Sequence, residues 1–175
     1  MVTTLYRFSI RKAFLFPLGL LLFLSLTLLA VCVIQGQPRA KILILGFMLL
    51  PITALFIESA FRRTVIDDRE VTVFKFLRRK SLRFADVTSL ETVQVRKRAF
   101  LTLSAGDDFQ IFSNAYDSFP TLVEVLLARV PPHAVSEETR AMAESPPVKS
   151  ADIVSCWLGV VLLSLILYIQ LGGRF

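Results

Sequence analysis

The sequence predicts an α+β soluble domain carried by three transmembrane α-helices, and three observations predict it. Residues 13–34, 42–61 and 153–171 are long apolar runs. Between the second and third lies a polar stretch in which apolar and polar residues alternate as they do in half-buried strands. That alternation gives way after residue 112 to helical spacing, and a proline-punctuated segment then leads to the last apolar run. Composition agrees, with 54% hydrophobic residues, 15 phenylalanines and a mean hydropathy of +0.63, above the range of ordinary soluble domains.

Each apolar run has the ~20 residues that, at 1.5 Å per helical residue, cross a hydrocarbon layer of about 30 Å. The first run is not a secretory signal. Signal cores are about 7–15 residues long, and this run continues past Cys32, so Leu29-Ala30-Val31-Cys32 is only a loose likeness of a lipoprotein box. Pro17 is expected in the first helical turn, where its missing N–H costs little. Positive charge next to the membrane ends sets the orientation. Arg7, Arg11 and Lys12 precede the first run; Arg62 and Arg63 follow the second, with Arg69 and Lys75 close behind; the loop 35–41 carries only Arg39 and Lys41. The expected location is therefore the cell inner (cytoplasmic) membrane, with the amino terminus and the middle domain cytoplasmic. Lys149 before the third run and Arg174 after it place the carboxyl terminus outside. The segments are a cytoplasmic tail (1–12), a helical hairpin (13–61), the soluble domain (62–130), a Pro-rich linker (131–151), a third helix (152–171) and an external tail (172–175). Cys32 and Cys156 fall at opposite membrane depths, too far apart for a disulfide, and read as small buried hydrophobes.

About six strands are expected in the soluble domain: 63–66, 70–77, 81–84, 90–95, 100–103 and 109–112, all rich in β-branched or aromatic residues. Short charged breaks separate them, Asp67-Asp68-Arg69, Arg78-Arg79-Lys80, Arg96-Lys97-Arg98 and Gly106-Asp107-Asp108, each of hairpin length. Phe119, Leu122, Val123, Leu126, Leu127 and Val130 then form the apolar stripe of one helix, with Asp117 or Ser118 as its cap and Pro120 in its first turn. One helix closing an antiparallel sheet is an α+β solution for a small core. Residues 136–144 are a candidate for a short helix within the linker.

A strand meander closed by one carboxy-terminal helix, directly after a membrane hairpin, resembles the bacterial pleckstrin-homology-like domains. The resemblance spans residues 62–130. It is carried by Thr64-Val65-Ile66-Asp67-Asp68-Arg69-Glu70-Val71 and by Leu82-Arg83-Phe84-Ala85-Asp86-Val87, similar to the family's apolar-x-aromatic-x-Asp-apolar exit from strand three. It implies a partly open barrel capped by a helix, used as an interaction module. Counted by that pattern, Asp67-Asp68-Arg69 joins strands one and two, and two carboxylates there repel a phosphorylated headgroup. No inositol-phosphate site is carried over.

In a meander, successive turns fall at alternate ends of the sheet. This sorts Arg78, Arg79, Lys80, Arg96, Lys97 and Arg98 to one end and Asp67, Asp68, Asp86, Asp107 and Asp108 to the other. The second apolar run delivers Arg62 and Arg63 to the first of these ends. The expectation is a membrane-surface basic end of eight residues, Arg62, Arg63, Arg78, Arg79, Lys80, Arg96, Lys97 and Arg98, facing an anionic leaflet that attracts each cation by about 1 kcal/mol. Charged turns also serve solubility and edge protection in any β domain, so the coincidence with the membrane end is what distinguishes this set.

Other residues point to less. His133 stands beside two prolines with no partner for catalysis in sight. Glu58 is one turn from Arg62, the spacing of an i, i+4 ion pair. Ser155 and Gly159 form a small-xxx-small pair that admits another helix, and Trp157 and Tyr168 stand at opposite ends of the third run, as interfacial anchors do. The sequence shows no phosphate loop, nucleotide motif or metal spacing. Net charge +6 is spread over the tail, loop and domain, and the bias toward membrane ends accounts for much of it, which makes nucleic acid a poor choice of partner. The expected function is non-enzymatic and without cofactor: an adaptor or scaffold for a protein partner. The alternative is an accessory or assembly subunit of a membrane complex, packed through its helices.

Overall fold

A computed structural model describes residues 5–147 and 151–172 of the 175. The chain divides into two compact units, one built from residues 1–11 and 61–149 and the other from 12–60 and 150–175.

The helical unit holds α1 (Lys12–Ile34), α2 (Arg39–Phe61, all but its last residue) and α5 (Ala151–Gln170), three helices long and apolar enough to cross a membrane. Their contacts depend on small residues. A Cβ added at Gly159 of α5 would lie 2.9 Å from Leu21 Cδ1 of α1, and one added at Gly19 would lie 3.0 Å from Phe56 Cε2 of α2. Leu28 and Cys32 of α1 pack with Leu167 of α5 in a core that Ile42 and Leu45 of α2 join. Phe16 meets Trp157 with ring centroids 6.1 Å apart. Hydroxyls within the helices bond locally: Ser25, Thr27 and Thr53 donate to the carbonyls of Leu21, Phe23 and Leu49, four residues back. Gln35, just after α1, is bonded twice to Gln170 at the end of α5: Gln35 Nε2 donates to the Gln170 carbonyl (2.9 Å) and Gln170 Nε2 donates to Gln35 Oε1. Pro17 lies farther in than expected: α1 starts at Lys12, so its ring falls in the second turn, where an N–H to the carbonyl four residues back is forfeited. Lys149 and Arg174, used above for orientation, lie outside the described residues.

The other unit is β-rich and begins earlier in the chain than the sequence suggests. Residues 6–9 were expected within a tail; Tyr6–Ser9 is strand β1, antiparallel to β2 (Arg63–Ile66), with Ser9 opposite Arg63 and Tyr6 opposite Ile66. Strands β3 (Glu70–Phe74) and β4 (Arg79–Arg83) complete a four-stranded sheet in the order β1-β2-β3-β4. A 3-10 turn at Phe84–Asp86 leads to β5 (Ser89–Val95), β6 (Arg98–Ala105) and β7 (Asp108–Ser113), a separate three-stranded sheet. There are thus seven described strands rather than six, and α1 and α2 are inserted between two hydrogen-bonded neighbours, β1 and β2. The Asp67–Arg69 turn accordingly joins the second strand to the third.

Alternation decides the faces. Phe8, Thr64, Ile66, Val71, Val73 and Leu82 are buried from the first sheet, and Leu90, Leu101, Leu103 and Phe112 from the second. Helix α3 (Phe119–Leu127) closes this core with Phe119, Leu122, Val123 and Leu126, each fully buried. Its expected side-chain cap is absent: Ser118 holds the N-cap with φ of 52° and makes no side-chain cap bond. The expected linker also packs. Ser136 caps α4 (Glu137–Glu144) by accepting the Thr139 amide, Glu137 and Glu138 complement its N-terminal dipole, and the Thr139 hydroxyl donates to the Leu90 carbonyl at 3.2 Å. His133 is exposed in the 3-10 turn Pro132–Ala134 that leads to this helix.

Candidate functional site

The chain leaves the β-rich unit for the helices at three places, after Arg11, before Phe61 and after residue 149. A single segment, Asn114-Ala115-Tyr116, gathers all three approaches. The Arg11 amide donates to the Ala115 carbonyl (3.2 Å), its Nε donates to the Tyr116 carbonyl, and Ile10 forms a bridge with Tyr116. Arg62 Nε and the Thr64 hydroxyl donate to Tyr116 Oη at 3.1 and 2.9 Å. Asn114 Nδ2 donates to the carbonyls of Pro147 and Lys97, both at 2.8 Å. The hydrogen bonds therefore gather Arg11, Arg62 and Pro147, described residues that precede or follow the three crossings in sequence, at one end of the unit together with the β5–β6 turn.

Tyr116 is fully buried and is among the largest side chains in this core. An aromatic ring with its hydroxyl satisfied twice fixes both chain direction and register there, which suits a residue in a loop with no sheet to hold it. Among the described residues, Asn114 Oδ1 is the buried side-chain polar atom that lacks a partner.

The eight expected basic residues divide. Arg62 is committed inward, with Nη2 also donating to the Ile111 carbonyl and the guanidinium 5.6 Å from the Tyr116 ring centre. Lys80 turns toward the acidic β6–β7 turn, with Nζ 2.6 Å from Asp108 Oδ1 and 5.5 Å from the Phe109 ring centre. That contact brings together two residues, Lys80 and Asp108, that were expected at opposite ends. Its physical reason is the break at Phe84–Asp86: with two sheets, the alternation of turns along one meander no longer holds across the break. Arg63, Arg78, Arg79, Arg96, Lys97 and Arg98 remain exposed. Arg63 sits in the row Ser9–Arg63–Phe74–Arg79 that crosses all four strands of the first sheet. Arg96, with φ of 55°, and Lys97 form the turn that Asn114 holds.

The outer face of the first sheet is concave, a depression of about 650 Å³. Arg7, Arg63 and Arg79 line it beside Phe74, and Asp67 and Glu70 line it too. Arg79 lies along this face, 5.4 Å from the Phe74 ring centre. The acidic turn at β2–β3 is held by hydrogen bonds of its own. Asp67 Oδ1 accepts the amides of Glu70 and Arg69, both at 2.7 Å, and these bonds, the Glu70 amide first, hold its carboxyl below the ordinary 3.8 against a smaller opposing effect of burial.

Arg129, which the sequence did not single out, ties this turn to the rest of the unit. Its Nε donates to the Asp67 carbonyl (3.0 Å), its Nη2 pairs with Asp68 (3.2 Å), and its guanidinium lies 5.2 Å from the Tyr6 ring centre. No periodicity signals such a residue, because its partners lie about sixty residues away in sequence. Tyr116 and Asn114 escaped for the same reason. Among the described residues, no group of three or more His, Cys, Asp or Glu is arranged to hold a metal ion. Comparison with protein families, with curated proteins and with solved structures finds no match for this chain.

Proposed function

We propose that this protein is a non-enzymatic integral protein of the inner membrane. In this reading its β-rich unit is a cytoplasmic adaptor that binds a protein partner while its basic end lies on the anionic leaflet. The observation that carries the reading is the convergence on Asn114–Tyr116 of Arg11, Arg62 and Pro147, which neighbour the three chain crossings in sequence. A unit tethered three times at one end has its orientation toward the bilayer restricted by the covalent chain itself. The exposed cations at Arg63, Arg96, Lys97 and Arg98 flank that end, and each Lys or Arg near an anionic surface contributes about 1 kcal/mol. Four- and three-stranded antiparallel sheets followed by α3 support the pleckstrin-homology-like reading of the fold. The sidedness, amino terminus and β-rich unit inside and carboxyl terminus outside, rests on the distribution of Arg and Lys.

A second reading, an accessory subunit of a membrane complex, draws on α2. Leu43, Ile44, Phe47, Met48 and Leu50 are exposed along it, a surface that another subunit's helix would cover as readily as lipid. The two readings separate in one experiment. The full protein is purified from native membranes in mild detergent, its companions are identified, and the capture is repeated with a fragment joining residues 1–11 to 61–147. An adaptor retains its companion on the fragment. Capture by the full protein alone overturns the adaptor reading in favour of the second.

A further inference from the structure

The β3–β4 hairpin has a turn unlike the others in this unit. Phe76 and Leu77 form its two-residue tip, closed by the Lys75 amide donating to the Arg78 carbonyl (2.8 Å) and the Arg78 amide donating to the Lys75 carbonyl (3.4 Å). The remaining hairpin turns carry Asp67-Asp68-Arg69, Arg96-Lys97 and Gly106-Asp107. Tight turns favour Gly, Asn, Asp, Ser and Pro for their backbone preferences and their affinity for water. Phe and Leu offer neither. Here Leu77 is 84% exposed, the most exposed large apolar side chain described in this unit, and Phe76 is 51% exposed.

Two further features point to what covers them. Phe76 meets the ring of Phe61 edge-on, with centroids 5.1 Å apart. Phe61 is the residue with which the β-rich unit resumes, joined directly to Ala60 of the apolar helical run. One residue spans at most about 3.6 Å, so the covalent chain keeps Phe61, and the tip beside it, next to the end of that run. The flanking residues are cationic: Lys75, Arg78 and Arg79 are exposed, and no Asp or Glu occurs between Val71 and Ala85. Aromatic and aliphatic side chains bracketed by Lys and Arg match the layered chemistry of a membrane interface, with acyl chains beneath and phosphates at the level of the cations.

We propose that this hairpin dips Phe76 and Leu77 into the interfacial layer of an anionic bilayer, with Lys75, Arg78 and Arg79 on the lipid phosphates. This rests on the membrane reading above and adds a fourth point of attachment, made by a turn rather than by a spanning helix. The β-rich unit is then held at two places, the Asn114–Tyr116 end and the β3–β4 tip, which suppresses rotation about its tethers.

Leu77→Trp in a Trp157→Phe background tests this in the full protein, reconstituted in vesicles of phosphatidylcholine and phosphatidylglycerol. The position is exposed, so the substitution displaces no core residue. Emission at position 77 is expected to be blue-shifted and quenched roughly twofold or more by lipids brominated high on the acyl chain, in keeping with interfacial burial of about 5–10 Å. The native Trp157 in the unsubstituted protein serves as the companion probe for α5. Quenching of Trp157 with a water-like, unquenched indole at position 77 overturns the hairpin proposal and leaves the membrane reading standing. A blue-shifted but unquenched indole at position 77 also overturns it, in favour of a protein contact. Failure of both probes to be quenched overturns the membrane reading itself, and the hairpin proposal with it.

Discussion

The two compact units meet the same requirement, satisfying polar groups away from water, in opposite ways. In the helical unit the hydroxyls of Ser25, Thr27 and Thr53 bond to carbonyls one turn back, each within its own helix. In the β-rich unit the bonds run between residues far apart in sequence: Thr64 to Tyr116, Asn114 to Pro147, Arg129 to Asp67, Thr139 to Leu90. The contrast teaches where each unit is vulnerable. The β-rich unit depends on particular polar partners, whereas the helical unit depends on close approach at small residues.

The largest expected effect is at the hub. Tyr116→Ala empties one of the largest side chains of the core and is expected to cost about 3–5 kcal/mol. Tyr116→Phe keeps the ring but removes the acceptor of the Thr64 hydroxyl and of Arg62 Nε, costing about 1–3 kcal/mol. Hydrogen exchange across β1, β2 and β7 of the full protein in nanodiscs reads both. Equal protection in Tyr116→Phe and the unsubstituted protein would break the comparison, since the long-range bonds would then contribute nothing.

A smaller effect is expected at Gly159. Leu there collides with Leu21 and is expected to destabilise the α1–α5 contact by about 1–3 kcal/mol, whereas Ser25→Ala, which removes a local bond only, is expected to cost about 0.6 kcal/mol. Thermal unfolding in detergent, followed by the emission of Trp157 beside Phe16, ranks the two. A Ser25→Ala loss exceeding that of Gly159→Leu would reverse the assignment of what holds this unit.

The smallest effect concerns Asp67, half-buried at the surface. Its carboxyl is held below 3.8 in the folded chain by amides that the unfolded chain does not present. The stability it contributes is therefore fully present above about pH 4 and is lost as pH falls through the depressed folded value. Asp67→Ala is expected to flatten that acid limb, and a carboxyl titration by NMR is expected to give a midpoint below 3.8. A midpoint at or above that value would show that the two amide bonds do not persist in solution.

Much of this was legible from residue pattern. The three apolar runs and the strands from Arg63 onward follow from run length and alternation, which are local properties, and the structure shifts their bounds by a few residues. What pattern could not show is closure at a distance. Tyr6-Arg7-Phe8-Ser9 alternates for only four residues, and its partner stands more than fifty residues later, beyond two apolar helices. The switch of sheets at Phe84–Asp86 was hidden too, because one continuous meander and two separate sheets share the same hairpin spacing; the charge sorting failed with it at Lys80. The basic site was half legible. Sequence names the cations, but only the bonds around Tyr116 separate Arg62, which is committed inward, from Arg63, which is exposed.

The pairing of Ser9 with Arg63 also bears on how the chain is made. During synthesis β1 leaves the ribosome first and has no partner until β2 follows, after both α1 and α2. The sheet can close only if those two strands end on one side of whatever the helices cross, so an odd number of crossings between them is incompatible with the fold. If α1 and α2 span a bilayer, as proposed, a chain in which only one of the two inserts leaves β1 on the far side from β2 and its sheet edge open.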